Sequence, residues 1–149
     1  MTYGLDTSVI MRLVAQTNDS HAEFVRDHVC ELLDDGNDFF ISGLVASEAY
    51  YALQHHYGNT KEEAINGLRA IAATDGFIFA PEAKAALDTP EAWKASPGFV
   101  DRMIAGEYAG KGYVTLSCEK SFRRLDFAKV VGEGWKPSFR NSALAGPGG

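Results

Sequence analysis

Four acidic residues of this chain have positions at which carboxylates do chemistry in folded α/β proteins. Two of them follow predicted strands and two lie on or beside the apolar faces of predicted helices: Asp6, Glu119, Glu48 and Asp101. Carboxylates packed together repel one another, so a pocket containing several is stable when it takes up protons or binds a divalent cation. Ligation by oxygen atoms alone favours Mg²⁺ or Mn²⁺ over zinc. The acids therefore predict a metal-binding pocket.

Each acid also has a purely structural interpretation. An acid at the start of a helix interacts favourably with the helix dipole, which would explain Asp6, Glu119 and Asp101. Glu48 shares a helix face with Leu44, Val45 and Ala52, and a carboxylate buried there would need compensation. An ion pair with Arg12 would supply that compensation, and Glu48 would then have a structural role only.

Strands and helices that would position these acids alternate along the chain. Short apolar runs predict strands over Thr2–Leu5, Phe39–Ile41, Phe77–Phe79, Tyr113–Leu116 and, more briefly, Val130–Val131. Capping signals and apolar periodicity predict helices from Thr7 or Ser8, over His21–Asp34, Leu44–Tyr57, Thr60–Thr74, Pro81–Asp88 and Phe99–Ala109, and a short one after Ser117. This order predicts an α/β/α sandwich of three layers around one mainly parallel sheet of four to five strands. Ligands of such sheets bind beyond the carboxyl ends of the strands.

The length and composition indicate one globular domain. The chain has 149 residues and is 46% hydrophobic, so we expect a single domain over residues 1–140 and a disordered tail over residues 141–149. Cys30 and Cys118 are too few for a disulfide framework. No signal peptide and no apolar run long enough to cross a bilayer is present, which predicts a cytoplasmic protein without a membrane partner.

The net charge of −6 argues against a protein whose main task is to coat nucleic acid. The charge is unevenly distributed, however. Residues 1–100 contain 6 basic and 15 acidic residues, a net charge of −9, whereas residues 101–149 contain 8 basic and 5 acidic residues, a net charge of +3. A local basic surface in the last third of the chain therefore remains compatible with an anionic partner.

Four segments in order along the chain resemble the motifs of one family. They are Tyr3–Ile10, Ile41–Glu48, Gly98–Ala105 and Val114–Phe122. Together they resemble the PIN domain and, within it, the small VapC-like toxins of bacterial toxin–antitoxin pairs. The resemblance spans nearly the whole chain; each motif is weak alone, and the ordered set is fairly specific.

This resemblance implies an Mg²⁺- or Mn²⁺-dependent endoribonuclease. Its acidic pocket would be built from Asp6, Glu48, Asp101 and Glu119, with Asp6, Asp101 and Glu119 as metal ligands. Hydrolysis by a metal-activated water would leave 5′-phosphate and 3′-hydroxyl ends. The family usually has Asp where this chain has Glu119, and Asp126 is an alternative donor.

Hydroxyl groups beside the acids match the supporting positions of the same family. They belong to Thr7, Ser8 and Ser117. The basic residues expected to contact the RNA backbone are Arg102, Lys120, Arg123 and Arg124, although each could equally lie on a solvated surface. The resemblance also implies a homodimer and a cognate antitoxin protein. We expect Tyr50, Tyr51, Leu53 and Tyr57 to form an aromatic interaction surface.

Two other classes of protein fit parts of the pattern. One is a catalytically silent PIN-like module that binds RNA. The other is an aspartyl-phosphate type of Mg²⁺-dependent phosphotransfer domain, which is also α/β with an acidic site. Phosphatases of that type have a second Asp two positions after the nucleophile, where this chain has Ser8.

Overall fold

The computed structural model describes residues 1–15, 17 and 19–132, in which short strands and helices alternate. The strands are β1 (Thr2–Gly4), β2 (Asp38–Ile41), β3 (Phe77–Phe79), β4 (Thr115–Ser117) and β5 (Ala128–Val130). The helices are α1 (Thr7–Val14), α2 (Ser20–Asp34), α3 (Gly43–His55), α4 (Lys61–Ala72), α5 (Pro81–Asp88) and α6 (Phe99–Gly110). A 3₁₀ helix follows at Lys120–Arg124. The predicted mixed α/β class is confirmed. The expected tail, residues 141–149, lies outside the described residues.

All strand pairs in the described residues are parallel, but the strands divide into two sheets. One sheet has the order β1-β2-β3, with Gly4 opposite Phe40 and Phe40 opposite Ile78. The other contains β4 and β5, with Thr115 opposite Ala128. The single sheet of four to five strands that the sequence predicts is thus replaced by two smaller ones.

Alternation along the strands shows where the core is. In β2, Phe39 and Ile41 are buried whereas Phe40, between them, is exposed, as expected for side chains that point to opposite faces. Helices α1, α3 and α4 pack against one another, and α4 also packs on β3. The core that they form contains Ile10 and Ile65 together with Ile41 of β2.

Local capping explains why the helices begin where they do. The Ser42 side chain accepts a hydrogen bond from the backbone N–H of Val45 at 3.2 Å, which begins α3 directly after β2. Thr60 and Glu63 form a capping box at the start of α4, as their sequence spacing predicts.

One predicted surface is partly wrong. Tyr50 and Leu53 belong to the core, with 6% and 2% of their surface exposed, because α3 packs against α1 and α4 and, through Tyr50, against Phe99 of α6. Tyr51 and Tyr57 are about half exposed, as the predicted interaction surface requires. Both cysteines are exposed and free. None of the described helices is both long and apolar enough to cross a membrane.

Candidate functional site

Asp6 lies at the carboxyl end of β1 and caps α1. Its Oδ1 atom accepts hydrogen bonds from the Ser8 hydroxyl at 2.6 Å and from the backbone N–H groups of Ser8 and Val9 at 3.0 and 3.3 Å. The bond from the Ser8 hydroxyl is the main reason that the pKa of Asp6 is lowered from its ordinary value, while slight burial opposes the shift. Asp6 is therefore a carboxylate at neutral pH, and the Ser8 hydroxyl contacts it directly.

Glu48 reaches the same helix terminus from α3. The Thr7 hydroxyl, on the first residue of α1, donates a short hydrogen bond to Glu48 Oε2. Because β1 and β2 are parallel neighbours, α1 and α3 both begin at the carboxyl edge of the sheet. The structure thus brings Asp6, Thr7, Ser8 and Glu48 together, and we call these four residues the acidic edge.

The predicted burial of Glu48 on the apolar face of its helix is wrong. Its side chain is exposed, not buried on the apolar stripe, because the buried line of α3 runs through Ala46, Ala49 and Tyr50. The alternative ion pair with Arg12 is not observed either: the Arg12 guanidinium donates instead to the Ser8 carbonyl at 2.8 Å. Glu48 is therefore available to solvent and to a ligand.

Asp101 belongs to α6 and lies beside α3, at a point farther along α3 than Glu48. It is half-buried in the first turn of α6 and lines a groove of about 150 Å³ with Tyr51 and Lys61. Tyr51 is three residues beyond Glu48 on α3, which places the groove about one helical turn, or 5 Å, along the helix. Contact between the rings of Tyr50 and Phe99, with centroids 4.9 Å apart, holds α6 against α3 here.

Glu119 is exposed at the start of the 3₁₀ helix. The Ser117 hydroxyl accepts a hydrogen bond from the Glu119 backbone N–H at 3.0 Å, so it shapes the turn after β4. The alternative donor Asp126 is also exposed and lies between the 3₁₀ helix and β5, where it lines a cavity with Arg102.

No protein-family model matches the chain, and no curated protein matches it. A search of solved structures finds the crystal structure of VapBC2 from Rickettsia felis bound to a DNA fragment from their promoter, in an alignment that covers 88% of this chain and 98% of that chain. The sequence identity is 17% and the TM-score is 0.39. At these values the similarity supports no conclusion about function, so function has to be inferred from the residues of this chain.

The donor set at the acidic edge suits a divalent cation in part. Among the described residues, the hydrogen bonds to Asp6 go to Oδ1 and the one to Glu48 goes to Oε2, which leaves one oxygen of each carboxylate for a ligand. Mg²⁺ is commonly bound by one or two carboxylates together with substrate phosphates. No group of three or more His, Cys, Asp or Glu residues in the described part of the chain is arranged to hold a metal ion by itself. The two carboxylates of the acidic edge are thus the donors that the described structure brings together, and Asp101 and Glu119 stay predicted ligands.

The four predicted RNA-binding cations occupy two kinds of position. Arg102 is half-buried, and its Nε donates to the Pro97 carbonyl at 2.9 Å. Arg124 donates from Nη1 to the Ser96 carbonyl at 3.3 Å. Lys120 and Arg123 are exposed, and neither forms an ion pair with another described residue.

The structure adds one acid that sequence reasoning missed. Glu82 follows β3 at the same edge of the sheet, and its carboxylate lies against the start of α3, where a Cβ on Gly43 would be 3.1 Å from Glu82 Oε1. The signal was present in the sequence, since Glu82 comes three residues after the predicted strand Phe77–Phe79, as Glu119 does after its own strand. In the sequence, Pro81 indicated only that a helix begins at this point.

Proposed function

We propose that this protein is an endoribonuclease that hydrolyses RNA phosphodiester bonds with the help of Mg²⁺ or Mn²⁺. The observation that carries the proposal is the meeting of Asp6 and Glu48 at the carboxyl edge of the sheet, joined through Thr7. On the resemblance of its motifs to those of VapC-like toxins, we further propose that it is the toxin of a toxin–antitoxin pair. It would act in the cytoplasm as a homodimer and be silenced by a cognate antitoxin.

The residues of the acidic edge have distinct roles in this proposal. Asp6 stays ionised because Ser8 and the first turn of α1 stabilise its charge. Thr7 binds one oxygen of Glu48 and leaves the other for a ligand. A hydrogen bond of this kind restrains a carboxylate and so increases the precision with which it binds a metal.

A divalent cation bound to the free oxygens of Asp6 and Glu48 would supply a water of lowered pKa and stabilise the charge on the leaving oxygen. Asp101 and Glu119 remain proposed members of the pocket on the strength of the resemblance. Lys120 and Arg123, exposed after β4, would increase the local concentration of the polyanion.

The second candidate is a catalytically silent PIN-like module that binds RNA, since the exposed Lys120 and Arg123 would attract RNA whether or not the acidic edge binds a metal. The aspartyl-phosphate alternative receives no such support, since Ser8 donates its hydroxyl to Asp6 at the position where a second carboxylate would act.

The test is cleavage of a fluorescently labelled single-stranded RNA library by the purified protein. We expect cleavage in 5 mM Mg²⁺ or Mn²⁺, loss of cleavage in EDTA, and products with 5′-phosphate and 3′-hydroxyl ends. The Glu48→Gln variant should lose activity, and Glu23→Gln, at an exposed acid in the first turn of α2, is the matched control. RNA binding without cleavage under every metal condition would identify the silent module instead.

A further inference from the structure

Two arginines that are distant in sequence are held by one short segment. Arg102 donates to the carbonyl of Pro97 and Arg124 donates to the carbonyl of Ser96, which is the preceding residue. Both guanidinium groups therefore lie beside the Ser96–Pro97 segment, one brought by α6 and the other by the 3₁₀ helix. We propose that Arg102 and Arg124 form a binding site for a phosphodiester group, which we call the arginine pair.

The charge balance around the arginine pair leaves room for an anion. The ion pairs of the described residues involve His28, Lys84, Lys94 and Lys111, and neither arginine takes part in one. Glu82 and Asp126 line a cavity of about 350 Å³ together with Arg102, but neither is within ion-pair distance of it. Two like charges held by one segment repel each other, and a bound anion would remove that repulsion.

The arginine pair has enough unused hydrogen-bond donors to bind the oxygen atoms of a phosphate group. A guanidinium carries five N–H donors, and in the described structure each arginine uses one of them on a carbonyl. These carbonyl bonds restrain the guanidinium groups and leave four N–H donors on each of them for an anion. Lys120 and Arg123 have no such anchor, so we assign them a long-range electrostatic effect only.

This inference rests on the proposed function only in naming RNA as the source of the phosphodiester. Contacts to phosphate carry no information about the sugar, so the arginine pair should hold single-stranded RNA and DNA of the same sequence equally.

The test is binding of fluorescein-labelled single-stranded 12-mers, measured by anisotropy in EDTA so that cleavage cannot occur. For a contact to a single strand, the dependence of affinity on salt has a slope of about 0.7 per phosphate, so losing one contact costs about fivefold at 0.1 M salt. We expect this loss for Arg124→Ala and Arg102→Gln, with RNA and DNA alike, and a flatter salt dependence. Lys129→Ala, which removes an exposed positive charge of β5, is the matched control and should change affinity by less than about twofold at 0.1 M salt.

Two results would overturn the arginine pair. Equal losses for Lys129→Ala and Arg124→Ala would show that only the overall charge matters, and a loss confined to RNA would show a contact to sugar or base. Tripolyphosphate, used as a competitor, should displace RNA from the wild type more readily than from Arg124→Ala. Because cleavage is not measured, a protein that binds through the arginine pair but never cuts RNA would contradict only the proposed function.

Discussion

Replacing Asp6 separates its structural role from its proposed chemical one. Asp6→Ala removes the acceptor of three hydrogen bonds, those from the Ser8 hydroxyl and from the N–H groups of Ser8 and Val9. Loss of such a cap lowers the free energy of unfolding by about 1 kcal/mol. For a domain of this size that corresponds to a decrease of about 2–4 °C in the melting temperature. Asp6→Asn keeps an acceptor at the same position and should lose only about 0.3–1 kcal/mol, the interaction of the charge with the helix dipole.

The dependence of stability on pH tests whether the negative charge of Asp6 stabilises the folded protein. Because the pKa of Asp6 is lowered in the folded protein, its charge contributes stability above its unfolded pKa of about 3.9, and this contribution is lost as the pH falls through the folded value. The difference in stability between wild type and Asp6→Asn should therefore be constant above about pH 5 and shrink below about pH 4. Urea denaturation followed by circular dichroism at pH 3, 4, 5 and 7 measures it. A difference that grows on acidification, or an Asp6→Ala variant as stable as the wild type, would refute the capping geometry.

Three further predictions concern other contacts. Thr7→Val removes the hydrogen bond to Glu48 and should therefore reduce RNA cleavage by about tenfold or more, while the melting temperature stays unchanged. Thr74→Val, which removes a hydroxyl bonded to the Ala70 carbonyl, is the control in both assays. Gly106→Ala should lower the free energy of unfolding by about 1–3 kcal/mol relative to Gly110→Ala. A Cβ at Gly106 would lie 3.0 Å from Glu82 Cβ, whereas one at Gly110 meets nothing within 4 Å. Equal urea midpoints for the two variants would contradict the close packing of α5 and α6. Thr60→Ala should lower the melting temperature by about 2–4 °C through loss of the capping box, and an unchanged scanning-calorimetry midpoint would show that the box adds no stability.

Local signals predicted the elements of this fold well. The cap residues Asp6, Ser42 and Thr60 determine helix starts through contacts within three residues, so their effect is readable from sequence. Strand positions were equally visible as short apolar runs. The division of the strands into two sheets was not, because three-residue strands carry no signal that specifies their neighbours.

The candidate site was predictable in composition but not in arrangement. That Asp6 and Glu48 meet follows from two parallel strands followed by helices, whereas the Thr7–Glu48 hydrogen bond joins residues 41 apart in sequence and depends on how α1 and α3 pack. The apolar residues near Glu48 suggested burial, yet a helical stripe does not reveal which of its edges faces solvent. The link between Arg102 and Arg124 also depends on tertiary packing, since it runs through carbonyls of the Ser96–Pro97 segment.

The proposed chemistry depends most directly on the charge of Asp6. Single-turnover cleavage of a labelled RNA in Mg²⁺ by wild type and Asp6→Asn, with folding of both verified by circular dichroism, measures that dependence. We predict that Asp6→Asn is folded and slower by more than about 100-fold, since a carboxylate that binds the cation has become an amide. Cleavage by Asp6→Asn at the wild-type rate would contradict the assignment of the acidic edge as the active site.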